Sequence, residues 1–232
     1  MSDYLFDPGK VFALAVHGET AAYPVHRVFC VGRNYAAHAA EMGAEVDREA
    51  PWYFTKSAAH AVASGATVPY PPGTANFHYE MELTVAIGAP VFRATAEEAA
   101  AAIYAYGCGL DMTRRDRQQD GKDKGRPWCL GKDVEDSAVF APLTKAAEFG
   151  DVADQRIHLA VDGVIKQDAT LRELVWSCVE VVEHLSTFYH LSPGDMIMTG
   201  TPAGVGPVVA GSKITGGIDT LDPIDLTIAP AA

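Results

Sequence analysis

Basic residues are in short supply: 18 lysines and arginines stand against 30 aspartates and glutamates in 232 residues, a formal net charge of -12. A protein that grips a phosphate backbone needs a basic face, so nucleic acid is excluded as a partner. The same excess of acid repels small anions, so an anionic ligand would require a local cluster of cations. Cysteine is sparse as well. Cys30, Cys108, Cys129 and Cys178 form no C-x-x-C pair and no zinc spacing, and each sits in a mostly apolar context, as reduced thiols do. Nowhere do about eighteen apolar residues run together, and the start, Met1 to Asp7, has no basic segment leading into an apolar one. We therefore expect no membrane span and a soluble cytoplasmic protein. Internal repeats and low-complexity linkers are missing too. The Gly-rich loop Gly200-Thr201-Pro202-Ala203-Gly204-Val205-Gly206 lacks the Lys-Ser/Thr ending of a phosphate loop, which makes nucleotide binding a poor reading.

What is present is a chain long enough to bury one sizeable core. Val11 to Val16 is β-capable and His17-Gly18-Glu19 reads as a turn; Val28 to Gly32 reads as a buried strand. Further strand-like segments recur at 52–55, 81–87, 139–143, 157–165, 196–199 and 224–228, many bounded by Pro or Gly. An Ala-rich helical turn or two covers 36–42 and ends at Gly43. Two longer helices are expected. Thr95 with Glu98 forms a capping-box pattern opening 95–105, and Thr170 with Glu173 opens 170–189, whose apolar residues recur at helical spacing.

The chemistry concentrates in His78-Tyr79-Glu80-Met81-Glu82-Leu83. In an extended strand Glu80 and Glu82 share one face while Met81, Leu83, Val85 and Ile87 take the other. Two such carboxylates are either solvated or holding a cation. Asp111 favours the cation, because it ends an apolar Gly-rich run and so projects from a buried segment. Three converging carboxylates repel one another unless a divalent ion sits among them, and three hard oxygen ligands suit Mg²⁺ or Mn²⁺.

His38 and Glu41 lie three apart on the short helix, either as a solvated surface pair or as a carboxylate that fixes an imidazole tautomer and makes a general base. Lys56 and Lys132 each follow an aromatic or apolar run and are either snorkelling surface lysines or buried functional cations. The run Arg114-Arg115-Asp116-Arg117-Gln118 is a solvated turn or helix start, or it carries a fork that clamps a carboxylate.

Together these residues resemble the fumarylacetoacetate hydrolase superfamily, in particular its short acylpyruvate hydrolase branch. The matching elements are Val31-Gly32-Arg33-Asn34-Tyr35 with His38 and Glu41, Phe54-Thr55-Lys56, His78 to Leu83, Leu110-Asp111-Met112-Thr113 with Arg115-Asp116, Gly131-Lys132, and Gly200-Thr201-Pro202 with Gly204-Val205-Gly206. The resemblance implies a mostly β fold with helices (α+β), a twisted mixed β-roll, over residues 28–228, with 1–27 as an N-terminal lead-in. It further implies a homodimer, with Mg²⁺ or Mn²⁺ held by Glu80, Glu82 and Asp111. His38 and Glu41 would activate water on a lid spanning 33–45, and Lys132 or backbone donors would stabilise the oxyanion. Arg33, Lys56, Arg115, Gln118 and Thr201 would contact substrate. The family often has Ala where Arg114 stands, so that guanidinium either alters recognition of the acid end or faces water.

The activity implied is metal-dependent hydrolysis of a C–C bond in a 2,4-dioxo acid. The nearest pattern is that of hydrolases that split fumarylpyruvate, from gentisate catabolism, into fumarate and pyruvate. Oxaloacetate decarboxylation and keto-enol tautomerisation are the alternatives on the same fold. A non-catalytic metal-binding module fits less well, since it has no use for a His-Glu dyad.

Overall fold

The computed structural model describes residues 4–7, 9–43 and 48–232. The first residues of the expected lead-in, and the end of the expected lid at 44 and 45, lie outside them. The strand Met81–Ile87 is the centre of an eight-stranded sheet. It pairs antiparallel with Ile103–Asp111 on one side and with Asp195–Met198 on the other. Asp195–Met198 runs parallel to Arg27–Gly32, which pairs with Trp52–Lys56 at the edge. A second, five-stranded sheet runs in the order Val164–Thr170, Arg156–Val161, Lys213–Ile218, Ile224–Ala229, Ala66–Pro69. Parallel and antiparallel pairs mix, and six α-helices are distributed among the strands of the described residues. The expected mostly β, mixed α+β architecture is the one observed.

The strict alternation of side chains builds two cores from one strand. Met81, Leu83, Val85 and Ile87 pack with Ile157, Leu159, Ile214 and Leu226 of the second sheet. Ala86 faces the opposite way, into a cluster with Cys30, Phe140 and Met198. Every residue of Met81–Ile87 is consequently buried, and the solvated face that an isolated E-x-E suggests does not exist.

A third, three-stranded sheet places the site: Thr113–Arg114, Phe77–Tyr79 and Gly206–Val208. The chain leaves this small sheet at Tyr79 and enters the large one at Met81, so Glu80 occupies the junction rather than a strand. It makes the reverse passage between Asp111 and Thr113.

Four expectations change. The helix from Thr95 has its capping box but runs only Ala96–Ala102, because Ile103 begins the nine-residue strand that pairs with the central one. Segment 157–165 is a hairpin, with Asp162 and Gly163 both at positive φ (50° and 80°) in the turn that reverses the chain. Segment 139–143 shortens to a strand at Ala138–Phe140. The long helix from Thr170 is broken. Its capping box serves a single 3₁₀ turn, Leu171–Glu173, and the α-helix is Cys178–Leu185 with its own box from Ser177 and Glu180. Between them Leu174 bridges Tyr35, and Val175 N donates to Asn34 O at 2.9 Å. These tertiary bonds draw the intervening residues out of helical geometry despite their periodic pattern.

The short helix Cys129–Lys132 rests directly on the helix Arg115–Asp123. A Cβ on Gly131 would lie 2.7 Å from the Gln118 nitrogen and 2.9 Å from its Cα, so only glycine permits this approach. The obstructing atoms are backbone and cannot swing aside. Gly131→Ala is expected to cost about 1–3 kcal/mol, the usual range for overpacking, and to displace the adjoining Lys132. Urea denaturation checks this, and a wild-type midpoint would show that the contact yields.

Candidate active site

Strand register brings the three carboxylates together. Asp111 N donates to Glu80 O at 2.9 Å, and Glu82 stands opposite Gly109. One oxygen from each of Glu80, Glu82 and Asp111 lies within 4.8 Å of the others, and all three residues are buried.

Three cations are buried with them. Lys132 Nζ donates to Glu80 Oε2 and Asp111 Oδ2, both at 2.6 Å, and to Thr113 Oγ1 at 2.8 Å. Arg115 donates Nη2 to Glu80 Oε1 and Nη1 to Gln118 Oε1, the latter at 2.7 Å. Lys56 Nζ lies 2.9 Å from Asp111 Oδ1. Three carboxylates thus face three cations. A divalent ion is therefore not the only counter-charge, as the repulsion reading has it: protein cations answer Glu80 and Asp111, while Glu82 has none bonded to it. Burial pushes Glu80 up, but the Lys132 and Arg115 charges outweigh it and hold this carboxyl below the usual range. Burial lowers Lys132, yet Asp111 and Glu80 more than reverse that and raise it. Glu82, with no cation bonded to it, goes the other way. Burial first, then the Asp111 and Glu80 charges, push it well above the ordinary carboxylate range. It accepts one bond, from Gly200 N at 2.7 Å.

The residues do fit a divalent cation, for a reason apart from net charge. Asp111 Oδ1 is buried and accepts no hydrogen bond. Lys56 is close, but its three hydrogens go to Met112 O at 3.0 Å, Ser137 Oγ at 2.7 Å and Lys132 O. A buried oxygen with an unused lone pair, beside the two glutamates, forms the all-oxygen donor set that Mg²⁺ and Mn²⁺ take.

His38 and Glu41 sit on the helix Ala36–Glu41. His38 Nδ1 is 3.1 Å from Glu41 Oε2, and both Glu41 oxygens accept from Gly204 N, at 3.1 and 3.2 Å. A Nδ1–H donated to Glu41 leaves the Nε2 lone pair to the cleft that His38 lines. Burial lowers the His38 pKa, only partly opposed by Glu80 and Glu41, so the imidazole is neutral and basic at neutral pH. Asn34 anchors the base of this helix by donating to Trp176 O and Thr199 O, both at 2.9 Å.

The cleft above the triad is lined by Arg33, His38, Arg115, Gln118, Lys132 and Thr201, among others. Lys56 is not on its walls, and its hydrogens go to Met112 O, Ser137 Oγ and Lys132 O, so the structure does not bring it to the cleft with the other expected substrate contacts. Lys132 has likewise committed its three hydrogens. It stands beside the cleft as a charge, not as a free oxyanion donor. Arg114 turns to Leu130 O at 3.5 Å and toward Glu135, away from the cleft. Thr201 Oγ1 accepts from Gln167 Nε2 at 2.8 Å, and Gln167 Oε1 accepts from Met81 N at 3.0 Å. Gln167, which ties the Gly-rich loop to the central strand, had no sequence signal, being one polar residue in a surface hairpin. His78 has no role in the sequence pattern beyond flanking Glu80. Its Nδ1 accepts from Arg115 Nε at 3.5 Å, and burial together with the Arg115 charge lowers its pKa to about 4.

Comparison with known proteins agrees with this geometry. The fumarylacetoacetate (FAA) hydrolase C-terminal family model matches residues 27–228. A fumarylpyruvate hydrolase from Ralstonia sp is 51% identical over 193 residues, covering 82% of this chain and 100% of that protein. An oxaloacetate tautomerase of Escherichia coli K12 is 38% identical over 199 residues, 85% of this chain and 90% of that one. The crystal structure of fumarylpyruvate hydrolase from Pseudomonas aeruginosa in complex with Mn²⁺ and pyruvate superposes with a TM-score of 0.93 at 43% identity, covering 98% of this chain and 100% of that chain. With the match spanning nearly the whole length and the acidic triad in place, the chain belongs to the fumarylacetoacetate hydrolase family.

Proposed function

We propose that this protein hydrolyses the C3–C4 bond of an acylpyruvate, with fumarylpyruvate yielding fumarate and pyruvate. The observation that carries the reading is His38: a neutral, buried imidazole braced by Glu41 and facing the cleft above an all-oxygen donor set. Glu80, Glu82 and Asp111 would hold a divalent cation, which would supply Lewis acidity and positive charge to the pyruvoyl end. His38 Nε2 takes a proton from water, and the hydroxide adds to the C4 carbonyl. Glu41 stabilises the imidazolium that results. Collapse breaks the C3–C4 bond, and its electron pair forms the pyruvate enolate, which takes at C3 the proton given up by the His38 imidazolium, so that pyruvate forms and His38 is neutral again. Lys132 and Arg115 add positive charge beside the departing enolate while holding Glu80 and Asp111 in place.

Identity of 51% to a fumarylpyruvate hydrolase, against 38% to an oxaloacetate tautomerase, favours hydrolysis over tautomerisation. We also propose, from the family resemblance, a homodimer, a cytoplasmic location and one catalytic unit over 28–228 with 1–27 as a lead-in. In support of the last, His17 N donates to Leu143 O at 2.9 Å, docking the lead-in on the large sheet. Among the described residues no helix is long and apolar enough to cross a membrane. The deciding experiment incubates purified protein and Mg²⁺ with fumarylpyruvate and with oxaloacetate. Equimolar fumarate and pyruvate support the proposal, whereas enol-keto exchange or CO₂ release from oxaloacetate without cleavage of fumarylpyruvate overturns it.

Chelation is expected to abolish turnover and Mg²⁺ or Mn²⁺ to restore it. Because Glu82 must give up its proton to serve as a ligand, metal affinity is expected to weaken as pH falls. Glu82→Ala should weaken it at every pH. Full turnover in excess EDTA would refute the metal assignment.

For the dyad, His38→Ala is expected to lower kcat by about 10²- to 10⁴-fold with metal affinity unchanged. A protonated His38 is no base, so activity is lost as pH falls through its pKa. That pKa is depressed, so the loss comes at lower pH than an ordinary histidine would impose. The Glu41 charge raises the His38 pKa, so Glu41→Gln should move the acid limb of kcat/KM further down. A shift to higher pH in that variant would remove Glu41 from this role.

A further inference from the structure

The acidic triad consumes most of the positive charge around the cleft. Lys132, Lys56 and Arg115 are each bonded or ion-paired to Glu80 or Asp111. Two cations on the cleft walls remain, Arg33 and Lys122, and neither has an ion pair among the described residues.

Lys122 lies on the helix Arg115–Asp123, where Arg115, Gln118 and Lys122 are spaced i, i+3 and i+7 along one face, and all three line the cleft. Arg115 touches Glu80 and so marks the metal end. At 1.5 Å per residue, Lys122 stands about 10 Å further along the helix axis. Its ammonium is 5.3 Å from the Trp128 ring centre, and Trp128 is braced edge-on by Trp52 at 4.8 Å. Burial, with the nearby Arg115 and Arg33 charges, lowers the Lys122 pKa, as expected of a region short of negative charge. In fumarylpyruvate six C–C bonds separate the two carboxyl carbons, about 7 Å at the rise of an extended chain. With one carboxylate at the metal end, the other falls within reach of a lysine side chain from that position.

We propose that Lys122, steadied on the face of Trp128 and seconded by Arg33, determines specificity by receiving the distal carboxylate of a dicarboxylic acylpyruvate. This rests on the acylpyruvate reading above and places on Lys122 a substrate contact that the sequence did not single out. Lys122 takes no part in bond cleavage; it discriminates between tails with and without the acid.

The test compares wild type, Lys122→Met and Lys122→Arg, all loaded with Mg²⁺, on fumarylpyruvate and acetylpyruvate, following pyruvate release. Lys122→Met is expected to lose about 10- to 100-fold in kcat/KM for fumarylpyruvate, mainly through KM, as removal of one member of a partly desolvated charge pair does. Acetylpyruvate turnover should be unchanged, and Lys122→Arg should recover most of the loss. Equal losses on both substrates, or none on fumarylpyruvate, overturn the assignment. Quenching of tryptophan fluorescence by the two compounds reads binding independently of turnover. Selective binding of the dicarboxylate that disappears in Lys122→Met supports the assignment even in a protein that hydrolyses neither compound, an outcome that would overturn the hydrolase reading alone. Dicarboxylate binding unaltered by Lys122→Met overturns the assignment whatever the turnover.

Discussion

Three carboxylates share one buried corner of this molecule because three cations are delivered to it. Removing an ion from water costs several kcal/mol, and stripping a buried pair of one partner costs about 3–5 kcal/mol. The compensation is drawn from separate parts of the chain. Lys56 ends an edge strand, Arg115 begins one helix, and Lys132 ends another. None of the three pairs until the large sheet, the small sheet and the two touching helices are assembled. Folding and site formation are in this sense one event, and Gly131 matters to both because it lets the Lys132 helix settle on its neighbour.

The same corner shows how far a sequence can be read. Glu80, Glu82 and Asp111 were legible because strand periodicity and an apolar run that ends in Asp are local signals. The cations were legible as residues but not as partners: nothing near Lys56 or Lys132 in the chain announces that both reach Asp111, from 55 and 21 positions away. Repulsion within the triad is therefore met in part by protein cations. The orphaned Asp111 oxygen, a fact of three-dimensional hydrogen bonding, marks the metal site independently of charge.

Secondary structure divides the same way. The capping boxes legible at Thr95 and Thr170 are both present and fix where helical turns start. Where the turns stop was decided by tertiary bonds: a partner strand for Ile103 onward, and Asn34 for Val175 and Trp176. Asn34 thereby joins the loop before Cys178 to the base of the helix that bears His38. Glu41 makes a second tie, to Gly204 in the Gly-rich loop. The dyad is held from two sides by segments distant in sequence, so its geometry depends on packing that spacing alone could not reveal.

Relatives of this chain include both a hydrolase and a tautomerase, so the fold cannot decide the reaction. Both chemistries form an enolate at the pyruvoyl end, and on the proposed reading the triad with its lysines would serve that end alike in either. Hydrolysis asks for two further things: a base placed over the fourth carbon, and a pocket that holds the acyl tail still while water attacks. In this chain the cleft carries a braced neutral imidazole, and Arg33, Lys122 and the rings of Trp52, Phe54 and Trp128 also line it. A protein of net charge -12 that holds, in one aromatic-walled cleft, two cations without an ion pair among the described residues offers an anionic group local positive potential there. The distinction between the two reactions therefore lies in what surrounds the triad, at the dyad and at the far end of the cleft.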